Sequence, residues 1–143
     1  MTLDLEQVLA RESIRDLVAR YNSLGDRGRS ADVAALFAPD GVLSFDASDE
    51  TSRSEGRPEI EARLDAFKAD FAERLNGPSR LYHSVSTHVI DIVDDTHATG
   101  RAYVTVLSDS GLFEWGQYVD SYVRLPEGWR FAARTARRFG ITA

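Results

Sequence analysis

The order of its elements constrains this chain most. Helical periodicity is confined to the first half, and from Arg80 onward the sequence is a series of long β-rich runs. These cover about Leu81–Val93, Ala98–Leu107, Leu112–Leu125 and Trp129–Arg138, and are separated by Asp94-Asp95, Ser108-Asp109-Ser110-Gly111 and Pro126-Glu127-Gly128. Long strands joined by turns this short predict an antiparallel meander, because parallel neighbours need a long crossover. Helices grouped ahead of a meander predict an α+β domain with the helices on one sheet face.

The helical half is punctuated by caps and breakers. From about Asp4 to Leu24 the apolar residues Ile14, Leu17, Val18, Tyr21 and Leu24 recur at three- and four-residue steps, with Glu12, Arg15, Asp16 and Arg20 between them. Gly25 and Gly28 end this helix, and Ser30 offers an N-cap for a short one carrying Val33, Leu36 and Phe37, stopped by Pro39-Asp40-Gly41. Val42, Leu43 and Phe45 then read as a strand, and Asp46 to Glu55 as a mobile loop of the kind that serves as a lid. Pro58 opens a third helix with Ile60, Leu64, Phe67, Phe71 and Leu75 on one face, terminated by Asn76-Gly77-Pro78. A chain of 143 residues suits one domain with one core, so residues 1–143 are expected to form a single unit.

Composition narrows the chemistry. With no Cys, thiolate nucleophiles, thiol redox chemistry, zinc ribbons and iron–sulfur clusters are all excluded. A net charge of −6 argues against nucleic acid or an anionic membrane as the main partner. The N-terminus lacks a secretory pattern and no run approaches a membrane span, so a cytoplasmic protein is expected. Three His residues remain for proton transfer near neutrality.

Of these, His83 at the start of the first long strand is the candidate general base, and such a ring needs a partner to fix its tautomer. Asp26, beyond the first helix, reads either as a turn aspartate or as a carboxylate aimed across the helix–sheet cavity at His83. Tyr21, on the apolar face of the same helix, is placed to present a phenol near that carboxylate. His83 and His88 are five apart, which puts them on opposite faces of a regular strand, and Asp91, Asp94 and Asp95 lack the pattern of a calcium loop. No metal and no cofactor is therefore expected. Aromatic residues, Phe45, Tyr103, Trp115 and Tyr118 among them, are candidates for lining an apolar cavity, and one inward-pointing member of Arg134, Arg137 and Arg138 for anchoring an anion.

Several segments together resemble a known family. They are Ile14-Arg15-Asp16-Leu17-Val18-Ala19-Arg20-Tyr21, Asp26, Ala34-Ala35-Leu36-Phe37-Ala38-Pro39-Asp40-Gly41, Gly56-Arg57-Pro58-Glu59-Ile60, Tyr82-His83, Ala98 to Tyr103, Gly116 to Tyr122 and Gly128-Trp129-Arg130-Phe131. In order and spacing the chain resembles the SnoaL-like branch of the nuclear transport factor 2-like superfamily. The resemblance implies a cone-shaped α+β barrel with the helices packed in a curved antiparallel sheet, an apolar pocket, and a homodimer or homotrimer. The pattern is similar to scytalone dehydratase, bile-acid 7α-dehydratase and γ-hexachlorocyclohexane dehydrochlorinase, which implies Asp26 and His83 as a catalytic dyad, Tyr21 as a dehydratase-type helix tyrosine and Arg138 as a C-terminal arginine of the pocket. It departs from them at Phe45, where a tyrosine is expected, at Val106, where the bile-acid enzyme has an acidic residue, and at Thr87 in place of a common Asn.

The function expected from residues and resemblance together is a lyase of the dehydratase kind. His83 would remove a proton from a hydrophobic or aromatic small molecule, with Asp26 orienting the ring. An isomerase or cyclase of a polyketide- or steroid-like substrate, using the same dyad, and a non-catalytic ligand-binding module are the alternatives.

Overall fold

A computed structural model describes residues 2–75 and 80–142. Asp4 caps the first helix, α1 (Leu5–Gly25), accepting from the Gln7 N–H while the Gln7 side chain returns to the Asp4 N–H. Gly28, at φ 73°, turns the chain out of α1. The second helix, α2 (Ser30–Ala34), is shorter than expected: Arg29 holds the cap position and Ser30 is its first residue. Leu36 and Phe37 leave the helix, and Phe37 begins β1 (Phe37–Asp46), so Pro39-Asp40-Gly41 falls within a strand. The chain folds tightly back there, and a Cβ on Gly41 would lie 2.9 Å from the Phe37 Cβ.

The segment expected to be a mobile loop is mostly strand. Thr51–Glu55 forms β2, antiparallel to β1 with Val42 opposite Glu55 and Asp46 opposite Thr51, which leaves Ala47 to Glu50 as the turn. The third helix, α3 (Arg57–Arg74), carries Pro58 in its first turn. The stop expected at Asn76-Gly77-Pro78 lies outside the described residues. Four strands follow: β3 (Leu81–Ile92), β4 (His97–Ser108), β5 (Gly111–Leu125) and β6 (Gly128–Ile141). They form the meander, and β1 then joins β6 in parallel, giving the order β2-β1-β6-β5-β4-β3. The parallel pair departs from the all-antiparallel expectation, and α3 together with the meander supplies the long connection that it requires. The result is a curved, open sheet with helices in its hollow.

Side-chain alternation explains the hollow. Along β4 the buried residues are Ala98, Gly100, Ala102, Val104 and Val106, alternating with outward Thr99, Arg101 and Tyr103. At one end, Ile14, Leu17 and Val18 of α1 pack with Ile60, Phe37, Tyr122 and Phe131. At the other, Val104, Val106, Phe113 and Tyr118 meet Phe71 and Leu75 more loosely.

Between them lies a buried ion pair. Arg134 Nε and Nη2 donate to Asp120 at 2.8 and 2.9 Å, with both side chains 0% exposed. Asp120 also accepts from the Tyr122 hydroxyl at 2.7 Å, and the guanidinium lies 3.8 Å from the Tyr118 ring centre and 4.4 Å from those of Tyr21 and Phe131. Burial alone would lower the Arg134 pKa, but the Asp120 charge and hydrogen bonds outweigh it and raise it. Removing one partner strands the other charge, so Asp120→Asn is expected to cost ~3–5 kcal/mol in urea unfolding, whereas an apolar replacement of both partners costs far less.

Candidate functional site

Asp26 and His83 meet where α1 ends against the start of β3. Asp26 is the C-cap of α1, its backbone N–H bonded to the Asn22 carbonyl at 2.8 Å. Its carboxylate accepts twice from one residue: the His83 backbone N–H reaches Oδ2 at 3.0 Å, and the ring Nδ1 lies 2.5 Å from Oδ1. Both side chains are 21% exposed. With the carboxylate facing Nδ1, the neutral ring that satisfies this contact is the tautomer with its proton on Nδ1.

This pair stands on the wall of a cavity of about 440 Å³, between the C-terminal part of α1, α3 and the inner faces of β4 to β6. Tyr21, Phe45, Tyr118 and Arg138 line it with Asp26 and His83. Tyr21 packs edge-on against Phe37, Tyr118 and Phe131. Burial raises its phenol pKa while nearby Arg134 lowers it, so its charged neighbours are the buried pair and not Asp26. The Tyr118 hydroxyl donates to Asn22 Oδ1 at 3.1 Å. The Phe45 ring lies 5.5 Å from Phe67, and the Arg138 guanidinium 5.6 Å from Phe45.

The three C-terminal arginines have different roles. Arg134 is sealed in the core, Arg137 is half exposed beside Asp46, and Arg138 is only 8% exposed on the cavity wall, bonded to Asp49 of the β1–β2 turn. Arg138 Nη1 is also 4.0 Å from Glu114 Oε2.

One of the expected aromatic positions, Tyr103, needs correction. Tyr103 is 50% exposed and is absent from the cavity wall: it alternates with Ala102 and Val104, and so lies on the outer face opposite Ser86 and Gln117. Trp115 reaches the cavity rim, but its ring covers Gly140, where a Cβ would come within 2.2 Å of it. The two histidines also differ from expectation. Thr87, at φ 51°, is the extra residue of a β-bulge between Ser86 and Val89, which restores the alternation and turns His88 to the same inner face as His83. His88 Nε2 lies 3.2 Å from the Tyr122 hydroxyl, and burial lowers its pKa.

Glu114 is the residue that sequence reasoning missed. His83 pairs with Val106, and Val106 with Glu114, so one row across the inner face runs from the dyad to this carboxyl. Glu114 lines the cavity with its side chain 13% exposed. Burial raises its pKa, opposed by the smaller pull of His83, Arg138 and Arg74, and Glu50 adds to the rise. The visible signal was a lone acid between Phe113 and Trp115 in a strand. The phase was hidden because Phe113 is a bulge residue and breaks the alternation.

The SnoaL-like domain family matches residues 6–135. The chain belongs to the SnoaL-like family. Its fold is similar to that of an ntf2-like protein from Novosphingobium aromaticivorans, 23% identical, with a TM-score of 0.72 over 100% of this chain and 95% of that one. A candidate scytalone dehydratase from Novosphingobium aromaticivorans is 23% identical, with a TM-score of 0.77 over 96% of this chain and 89% of that one. A Catenulispora acidiphila protein solved in complex with S-DNPA is 22% identical, with a TM-score of 0.76 over 92% of this chain and 95% of that one. ActVI-ORFA from Streptomyces coelicolor is 18% identical, with a TM-score of 0.75 over 93% and 97%. At these identities the likeness is one of fold. No curated protein sequence matches the chain. Among the described residues no helix is long and apolar enough to cross a membrane.

The raised Glu114 pKa has a consequence for stability. A carboxyl bound as its neutral form contributes stability fully below its ordinary value of 4.5, and loses it as pH rises through the folded value. Urea midpoints of wild type and Glu114→Gln should therefore keep a constant difference below that pH, and the variant should gain on wild type as pH rises.

Proposed function

We propose that this SnoaL-like protein is a cofactor-independent lyase that removes a carbon-bound proton from a small apolar substrate and eliminates a neighbouring leaving group. The observation that carries the reading is the pair of hydrogen-bond contacts between Asp26 and His83 at the cavity wall. In this reading Nδ1 donates to the carboxylate and Nε2 is the nitrogen that takes the proton, as a general base requires. As Nε2 takes the proton, the imidazolium that forms is stabilised by the adjacent carboxylate, and the negative end of the α1 dipole at Asp26 acts in the same sense.

The cavity supports this reading. Its volume suits a compact ring compound, and Phe45, Phe71, Val106 and Tyr118 offer it an apolar surface. The likeness to a candidate scytalone dehydratase and to a protein that holds a small ligand is in keeping with it.

The test uses a probe that needs only a base. The acetate ester of the aldol of acetone and benzaldehyde carries an activated C–H and a leaving group that departs as a stable anion, and the conjugated enone product is followed by ultraviolet absorbance. Wild type is expected to accelerate the reaction, and His83→Ala to lose ~10²–10⁴ of kcat with the fold retained. Asp26→Asn lowers kcat with little change in KM. Equal rates for wild type and His83→Ala would sink the reading. A product of unchanged mass would point to isomerisation.

A further inference from the structure

Glu114 is unused by the dyad. Its carboxyl makes no hydrogen bond among the described residues, and its nearest cation, Arg138 Nη1, stands 4.0 Å away. A structural ion pair would be closer, and Arg138 instead bonds Asp49. The position is set by backbone register: His83, Val106 and Glu114 occupy adjacent places on β3, β4 and β5, all on the inner face. Two strand spacings put the backbones of His83 and Glu114 roughly 10 Å apart. Both side chains line the same cavity, so a bound substrate can meet an imidazole and a carboxyl there.

We propose that Glu114 is a second catalytic group, the acid that protonates the departing hydroxyl while His83 takes the carbon-bound proton, and that the substrate class is accordingly β-hydroxy carbonyl compounds. The proposal rests on the proton-abstraction reading above and adds the leaving group to it. A hydroxyl beside a carbonyl-activated C–H leaves poorly as hydroxide, whereas a protonated one leaves as water. In the step, the C–H bond breaks and its proton goes to His83 Nε2. Its electron pair forms the new C=C bond, the C–O bond breaks, and the oxygen takes the Glu114 proton as water departs. The imidazolium returns a proton to the Glu114 carboxylate through water, and the pocket is reset. Burial keeps Glu114 protonated to higher pH than an ordinary carboxyl, which is the state the step needs. The titratable and charged groups around it are His83 from β3, Arg138 from β6, Arg74 from α3 and Glu50 from the β1–β2 turn.

Two probes that differ only in their leaving group separate this role from a structural one. They are the aldol of acetone and benzaldehyde, which must lose water, and its acetate ester, which needs no acid. Glu114→Gln is expected to lower turnover of the free alcohol by ~10²–10⁴ and that of the ester by far less. For the alcohol, wild type should also show an alkaline limb in kcat that is absent for the ester. Equal losses on both probes, or no loss on the alcohol, overturn the proposal. The His83→Ala variant reads the underlying assignment separately: if wild type eliminates the ester no faster than that variant, proton abstraction by His83 fails, whatever Glu114 does.

Discussion

One carboxylate organises the working end of this molecule. Asp26 sits at the last turn of α1 and binds both the backbone and the ring of His83, joining a helix inside the sheet to the sheet's edge strand. The backbone bond positions the strand and the ring bond fixes the imidazole, so strand placement and tautomer are set by the same group. A carboxylate at a helix C-terminus is electrostatically unfavourable by itself. Here the hydrogen-bond contacts to His83 satisfy both carboxylate oxygens at that helix end.

The cavity beside this pair depends on a second, deeper interaction. Arg134 and Asp120, both fully buried, gather Tyr21, Tyr118, Tyr122 and Phe131 around them. Such a pair is weak evidence for added stability, because desolvation offsets much of the attraction. Its effect here is directional. It holds two tyrosines upright between the packed end of the hollow, filled by Ile14, Phe37 and Ile60, and the open end, where Asp26, His83, Glu114 and Arg138 meet the cavity.

Much of this could be read from the chain. The three- and four-residue spacing from Ile14 to Leu24 marked the face of α1, and the turns at Asp94, Ser108 and Pro126 delimited β3 to β6 within a residue or so, although β6 runs on to Ile141. Asp26 and His83 could be named, but their meeting could not, since it depends on how α1 lies across β3. Two of the misses share one physical cause, broken alternation: the bulge at Thr87 returns His88 to the inner face, and the bulge at Phe113 obscures Glu114. Tyr103 was legible in principle. Ala98, Gly100 and Ala102 form a small-residue face that must approach the core, which places Tyr103 on the other. The strand β2 was hidden by its composition, Thr-Ser-Arg-Ser-Glu, which forms a ladder through backbone bonds with little apolar burial.

The central claim is that Asp26 holds His83 with Nδ1 protonated and Nε2 bare. Ring-nitrogen NMR of selectively labelled histidine, assigned to His83 by its loss in His83→Ala, measures this directly in the resting protein. The account predicts a proton on Nδ1 and a free lone pair on Nε2, with that preference abolished in Asp26→Asn. A resting proton on Nε2, or a spectrum unchanged by Asp26→Asn, would contradict it.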